Sequence, residues 1–437
     1  MNRKIKTVTV VGANGTMGAN VSAIFASFGN AKVYMVSRDM DKSRKAVAKA
    51  VKSVRAQSIA ANLIPADYSM LSACIAESDL VFESTAENPE IKKDITKRIA
   101  GALGQNTIVC SGTSGLSVTM LAECLPEAIR GNYLGMHFFN PPYNMPLCEL
   151  IPTKYTEPEV LKEAKAYLSE VLYRTVVEVN DAPAFLANRI GFQFINEAMQ
   201  YAQRYQDRGG IDYVDGILGS FTGRAMAPLT TADFVGLDVH KAIVDNLYAN
   251  TCDYAHSSFV LPSFCQELID AGLLGRKAGA GLYKMQIDEN GKKSLQVYDI
   301  ATRTFRPKTK YAFPFAQEMN RLIRNGEYQA AFRALLDNTS DEAKICLEFL
   351  LKYIVYSLNT TAEVGFCIHA CDDVMATGFN WCPPLAMAGA FAEVADFAEL
   401  VKTRLGGEIL SRVDIDRLLS GMVPSQYDYR PYFKAAR

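Results

Sequence analysis

The 437-residue chain holds only four histidines, and one of them, His137, lies in the strand-like run Gly135-Met-His-Phe-Phe-Asn-Pro141. Further on, Glu149 interrupts the otherwise apolar run Leu147-Cys-Glu-Leu-Ile151. A carboxylate in an apolar strand needs a partner to offset its desolvation. A histidine on a neighbouring strand is the natural one. Such a pair fixes the imidazole tautomer and raises its basicity, which is what removal of a proton from an alcohol requires. The competing reading is a histidine satisfied for structural reasons alone.

A second constellation lies at the N-terminus. The β-branched run Thr7-Val-Thr-Val-Val11 leads into Gly12-Ala-Asn14-Gly15-Thr16-Met17-Gly18 and then an apolar, helix-like segment, Ala19–Phe28. A glycine turn between strand and helix lets backbone N–H groups and the helix N-terminus meet a pyrophosphate. The spacing is one residue longer than the usual G-x-G-x-x-G, with Asn14 as the apparent insertion, a residue that tolerates left-handed backbone angles. The turn is expected to hold a nicotinamide dinucleotide; the competing reading is tight helix packing. Where an acidic residue would bond the ribose of NAD, the chain has Ser37 and Arg38. A hydroxyl and a guanidinium favour a 2′-phosphate, hence NADP over NAD. Asp39 weighs against this, and an ordinary solvated strand end is the alternative.

The elements that must position these residues follow from periodicity. Lys32–Val36, Asp79–Glu83 and Thr107–Cys110 read as strands, and 42–64 as helical. Alternating strands and helices imply an α/β, doubly wound parallel sheet of the Rossmann type up to about residue 180. From Pro183 the pattern turns helical, over 184–206, 210–219, 238–250 and 262–273. Residues 282–312 are polar, with a turn signal at 288–291, and read as a connector; helices resume near 314. A weak repeat relates Asn196…Asp212-Tyr-Val214…Pro228-Leu229 to Asn359…Asp372-Asp-Val374…Pro384-Leu385. The expected domains are 1–182 for the dinucleotide, 183–284 and 341–437 as two related all-α domains, and 285–340 as connector.

Composition narrows the partners. Hydrophobic residues make up 49% and charged residues 21%, and 46 basic against 47 acidic residues give a net charge of -1. That balance argues against nucleic acid or an anionic membrane as the main partner. Ten cysteines without paired metal spacing suit a reducing cytoplasm. Cys367, Cys371 and Cys382, with His369 between the first two, are better read as three scattered buried thiols than as a metal site. The chain runs into a strand by residue 7, so no leader is expected, and no stretch reads as a transmembrane helix.

Several segments, in this order, resemble the L-3-hydroxyacyl-CoA dehydrogenase family: Gly12–Gly18, Glu83-Ser-Thr-Ala-Glu87-Asn88, Thr113-Ser114, His137-Phe-Phe-Asn140-Pro141, Glu149 and Pro183-Ala-Phe-Leu-Ala-Asn188-Arg189. Asp233-Phe-Val-Gly-Leu-Asp238 and Gly275-Arg-Lys277-Ala-Gly279-Ala-Gly281-Leu-Tyr283 are similar to motifs of its C-terminal helical domain. The stretch 304–314 and the second repeat are similar to its long, fused members; no enoyl-CoA hydratase domain is expected to follow. The resemblance implies that His137 is the general base, oriented by Glu149, with Ser114 and Asn188 bonding the substrate oxygens. It implies that Glu87, Lys92, Ser114, Asn140 and Lys277 line the cofactor site. The implied substrate is a small molecule, a 3-hydroxyacyl-CoA. The family usually has a longer helical hairpin gripping coenzyme A where this chain has only 42–64. A non-CoA 3-hydroxy acid, or a catalytically retired nucleotide-binding scaffold, are the alternatives. The two helical copies imply either a monomer that is an internal pseudo-dimer or a homodimer.

Overall fold

The computed structural model describes residues 4–287, 289 and 291–435. They divide into two compact units. One runs up to Phe185 and takes in Val364–Phe366; the other comprises Leu186–Glu363 and the chain from Cys367 onward.

In the first unit, runs rich in Val, Ile and Leu form β1 (Thr7–Val11), β2 (Lys32–Ser37), β3 (Leu63–Asp67), β4 (Leu80–Glu83), β5 (Ile108–Ser111), β6 (Tyr133–Phe138), β7 (Leu147–Pro152) and β8 (Thr175–Glu178). The connecting helices are α1 (Thr16–Ser27), α2 (Met40–Val54), α3 (Leu71–Ala76), α4 (Pro89–Ala100), α5 (Val118–Ala122) and α6 (Pro158–Ala166). The strands form one sheet in the order β3-β2-β1-β4-β5-β6-β7-β8. Every pairing is parallel except β6 with β7. The exception follows from the loop 139–146, which is too short for the crossover that a parallel neighbour needs. Phe25 of α1 packs edge-on against Phe82 of β4 and Phe138 of β6, with ring centroids 6.0 and 6.4 Å apart. Burying each such ring stabilises the fold by roughly 1.5–3 kcal/mol.

The helix expected over 42–64 is shorter than that: α2 ends at Val54, a 3-10 turn covers Gln57–Asn62, and β3 follows. Pro65 within Leu-Ile-Pro-Ala-Asp conceals β3, because proline disfavours a central strand but is tolerated at the sheet edge, where β3 lies.

The second unit begins with α7 (Ala187–Arg204) and continues through the helices Ile211–Ile217, Pro228–Val235, Leu237–Asn250 and Ser263–Asp270. The polar stretch read as a connector instead forms a three-stranded antiparallel sheet, β9 (Tyr283–Ile287), β10 (Lys293–Asp299) and β11 (Thr304–Pro307). Its sides are largely solvated, so no apolar alternation marked it. Of the turn expected at 288–291, Asp288 and Asn290 lie outside the described residues.

The repeat becomes a shared capping device. Asp215 accepts a hydrogen bond from the Leu229 N–H at 2.8 Å, in the first turn of the helix that opens with Pro228. Asp372 does the same for Leu385 at 2.7 Å, in the helix that opens with Pro384. The counterpart of Asp372 is therefore Asp215, not Asp212 as the sequence pattern implied. Asp212 instead takes a two-pronged contact from Arg306 of β11, at 2.7 and 2.9 Å. Between the copies, Arg224 and Trp381 form a short antiparallel bridge, and the Cys382 N–H bonds the Gly223 carbonyl at 2.7 Å.

Candidate active site

Antiparallel pairing of β6 and β7 sets His137 directly opposite Glu149. Directly opposed residues project to the same face, so the register alone brings the two side chains together. His137 Nδ1 lies 2.8 Å from Glu149 Oε2, with His137 4% exposed and Glu149 fully buried. The phenyl ring of Phe139 stands 4.6 Å from the imidazole and that of Phe185 5.5 Å. With the carboxylate on Nδ1, that nitrogen carries the proton and Nε2 is left for acid–base chemistry.

A second polar cluster ends β4 and β5. Glu83 is buried and pairs with buried Lys92 at 2.9 Å. Its carboxylate also accepts from the Thr85 N–H at 2.6 Å and the Ser111 hydroxyl at 2.7 Å. Burial would push Glu83 up; the Lys92 ammonium and the Thr85 and Ser111 hydroxyls more than offset this and hold it below the usual carboxylate range. Lys92 also reaches Glu87 at 3.5 Å. Glu87 in turn accepts from the Ser114 N–H at 2.8 Å and from the Thr113 hydroxyl. Lys92 is therefore wholly buried, its ammonium committed to carboxylates, while Ser114 is half-buried at the edge of the cluster.

The glycine turn divides its labour. At Gly12, φ is +86° and an added Cβ would come within 2.5 Å of the Ser84 carbonyl oxygen. At Gly18 a Cβ would meet the Gly12 carbonyl at 2.5 Å. Gly12 thus supplies the left-handed conformation, and Asn14, expected to tolerate it, is not in that region. Gly15 is different: its Cβ would meet nothing closer than 3.4 Å. No internal contact requires glycine there, whereas a pyrophosphate brought against the backbone would. α1 begins at Thr16 with no side-chain cap and no acid in its first turn. Its exposed N–H groups and positive dipole end fit an anion. Thr16 accepts from Lys49 at 3.1 Å, and Met17 packs against the core. From α1, Asn20 donates to exposed Asn140 at 3.1 Å.

At the end of β2, Ser37 is buried and its hydroxyl has no hydrogen-bond partner, whereas Arg38 is exposed. Asp39 caps α2 by accepting from the Lys42 N–H at 2.8 Å and pairs with the Lys42 ammonium, which holds it below the ordinary carboxylate range.

Asn188 and Lys277 belong to the second unit. Asn188 is 6% exposed in the first turn of α7. Lys277 is exposed and pairs with Asp238 at 2.5 Å. Its loop is held because Asp233 accepts from the Leu282 N–H at 2.7 Å, and because a Cβ at Gly275 would strike the Asp233 carbonyl at 2.3 Å. Gly275 and Gly281 therefore serve close packing, whereas Gly279 has open space around it and supplies a φ of +84°. The sequence reading does not single out Glu83 by chemistry, although the signal it used for Glu149, a lone carboxylate in an apolar strand, is present there as well.

Two family models match the chain: "3-hydroxyacyl-CoA dehydrogenase, NAD binding domain" over residues 7–182, and "3-hydroxyacyl-CoA dehydrogenase, C-terminal domain" over residues 185–285. A probable 3-hydroxyacyl-CoA dehydrogenase of Bacillus subtilis is 30% identical over 408 residues, covering 87% of this chain and 50% of its own length. One of the same description from Deinococcus radiodurans is 32% identical, covering 66% of this chain and 85% of its own. The crystal structure of 3-hydroxybutyryl-CoA dehydrogenase from Escherichia coli K12 shares the fold over 96% of this chain and 99% of its own, with a TM-score of 0.68 at 20% identity. The chain spans about half the length of several curated relatives that it matches.

Proposed function

The chain belongs to the 3-hydroxyacyl-CoA dehydrogenase family, and on that premise we propose that it interconverts a 3-hydroxyacyl-CoA and its 3-oxoacyl counterpart. The observation that carries this reading is the buried His137–Glu149 pair, joined at 2.8 Å with Nε2 left for a proton. A nicotinamide dinucleotide on the glycine turn supplies the redox chemistry at C3. In the oxidative direction His137 Nε2 takes the proton of the C3 hydroxyl, and in the reductive direction returns it. Glu149 keeps Nδ1 protonated and stabilises the imidazolium that forms. Ser114 and Asn188 bond the C3 oxygen and the neighbouring carbonyl. Glu87, Asn140 and Lys277 border the cofactor, and Lys92 acts from beneath by fixing Glu83 and Glu87.

We assign the cofactor as NADP rather than NAD. Arg38 is exposed at the end of β2, no carboxylate occupies the ribose-binding position, and Asp39 is engaged as a helix cap by Lys42. The ten cysteines are all free, which supports a reducing compartment. The pairing of the two helical copies supports a chain that is its own pseudo-dimer. A second reading, a non-CoA 3-hydroxy acid as substrate, is favoured by one feature: between β2 and β3 there is only α2 and a 3-10 turn, where the family's coenzyme-gripping hairpin is expected. A panel of acetoacetyl-CoA, longer 3-oxoacyl-CoAs and the free 3-oxo acids, each assayed with NADPH and NADH, decides. Turnover confined to thioesters supports the first reading, turnover of free acids the second. No turnover across the panel, with cofactor bound, would leave a retired scaffold.

A further inference from the structure

The entry into α7 is built against local preference. The Leu186 side chain at its N-cap makes no capping hydrogen bond. Arg189 places a cation in the first turn, where the helix dipole disfavours one. Ala184 and Phe185, just before, both take φ of +55°. Left-handed backbone brings the Cβ of a non-glycine residue too close to the neighbouring carbonyl oxygen. Such an arrangement persists only where surrounding contacts over-determine it.

Just inside that turn, Arg189 is 1% exposed and fully engaged. Its two terminal nitrogens fork onto Glu363, Nη1 to Oε1 at 2.9 Å and Nη2 to Oε2 at 2.7 Å. Nη2 also donates to Asp253 at 2.8 Å, and Nε to the Tyr356 hydroxyl at 3.3 Å. That hydroxyl donates in turn to Asp253 at 2.8 Å. Two carboxylates thus meet the positive end of α7 through one guanidinium, and planar two-pronged geometry is what a lysine there could not reproduce. Tyr356 and Glu363 lie on the helix Asp341–Val364, in the second helical copy, which carries none of the family's site motifs. Asn188 is the residue next to Arg189.

We infer that Arg189 is a positioning residue: with Glu363, Tyr356 and Asp253 it locks the first turn of α7 and so sets the Asn188 amide. The second helical copy then acts in the reaction through this clamp. The inference rests on the role of Asn188 given under the proposed function.

The test uses the full chain with acetoacetyl-CoA and whichever of NADPH and NADH turns over. Glu363→Gln keeps the shape and removes the charge. It should lower kcat by roughly tenfold to a hundredfold, the scale of a small misplacement of a contact group. The KM for the nicotinamide cofactor and the pH profile should not move, because the His137–Glu149 pair is untouched. Glu363→Asp should retain more of the rate. In an Asn188→Ala background the Glu363→Gln loss should vanish, the signature of two residues acting through one another. Hydrogen exchange of amides 188–192 should quicken in Glu363→Gln. The same fold-loss in both backgrounds, or an unchanged kcat, or unchanged exchange, overturns the clamp. Normal turnover by Asn188→Ala itself overturns the role of Asn188 and with it the positioning inference. The exchange measurement, which needs no substrate, then shows separately whether the turn is held.

Discussion

Both units bury charged groups, and they use them differently. In the first, His137 has one ring nitrogen on Glu149 and the other uncommitted, and the buried Glu83–Lys92 pair ends at half-buried Ser114 through Glu87. In the second, the buried charges turn inward. Asp215 accepts from the Leu229 and Thr230 N–H groups and from the Thr230 and Tyr283 hydroxyls, at 2.7–2.9 Å. Arg224, fully buried, stacks on Phe194 at 3.8 Å, on Trp381 at 4.7 Å and on Tyr353 at 5.0 Å, and burial brings it down to about 10. Only Nη1 of Arg224 has a hydrogen-bond partner, the Thr222 backbone and side chain, and the aromatic rings take the rest of its charge. A buried carboxylate such as Asp215, whose bonding capacity is spent within the chain, specifies architecture; a buried group whose partner keeps a vacant position can do chemistry.

The largest expected effect tests the chemical side of this contrast. His137→Gln should lower turnover by roughly 10²–10⁴-fold, the usual contribution of a positioned acid–base group, with cofactor binding retained. Glu149→Gln should also reduce turnover, through the tautomer and basicity of His137. Near-normal rates in either variant on a verified substrate, by steady-state kinetics, would erase the distinction between the units.

Asp372 sharpens the architectural side. Burial raises it from 3.8 to about 6, against the lowering effect of the Ser425 hydroxyl and the Leu385 N–H. A raised acid favours the folded state in its neutral form. Its contribution is fully present below pH 3.8 and is lost as pH rises through about 6. Two pK units correspond to about 3 kcal/mol. Asp372→Asn, which mimics the neutral acid, should therefore gain on the wild type in denaturant stability as pH rises from about 4 to about 7, and level off above that. Parallel pH curves for the two proteins would refute it.

The smallest effect concerns the surface of the first unit. Arg38→Ala should raise the KM for NADPH and leave that for NADH nearly unchanged, since one charge-assisted contact to a phosphate is worth roughly 1.5–3 kcal/mol. A wild type that prefers NADH tenfold would make Arg38 an ordinary strand end.

Much of the first unit could be read directly. The β-branched runs, the glycine turn and the lone His137 and Glu149 each carry a local signal, because strand formation, a left-handed turn and a carboxylate set in an apolar run are constraints on single residues or short runs. β3 stayed hidden behind Pro65, and the sheet of residues 283–307 behind its polarity. Both depend on where a strand lies in a sheet, which local composition does not encode.

By itself, then, the sequence determined the residue types of the site, the order of its motifs and the α/β-then-helical plan. Only the tertiary structure decided that His137 and Glu149 stand opposite one another, that Lys92 is buried against Glu83, that Asp215 rather than Asp212 matches Asp372, and that Arg189 is gripped by a helix more than 150 residues away. The physical reason is one of range. Propensity and turn chemistry act between near neighbours in the chain, whereas a salt bridge or a cap between distant segments exists only once packing has paired them, and the register of that pairing is a collective choice of many contacts.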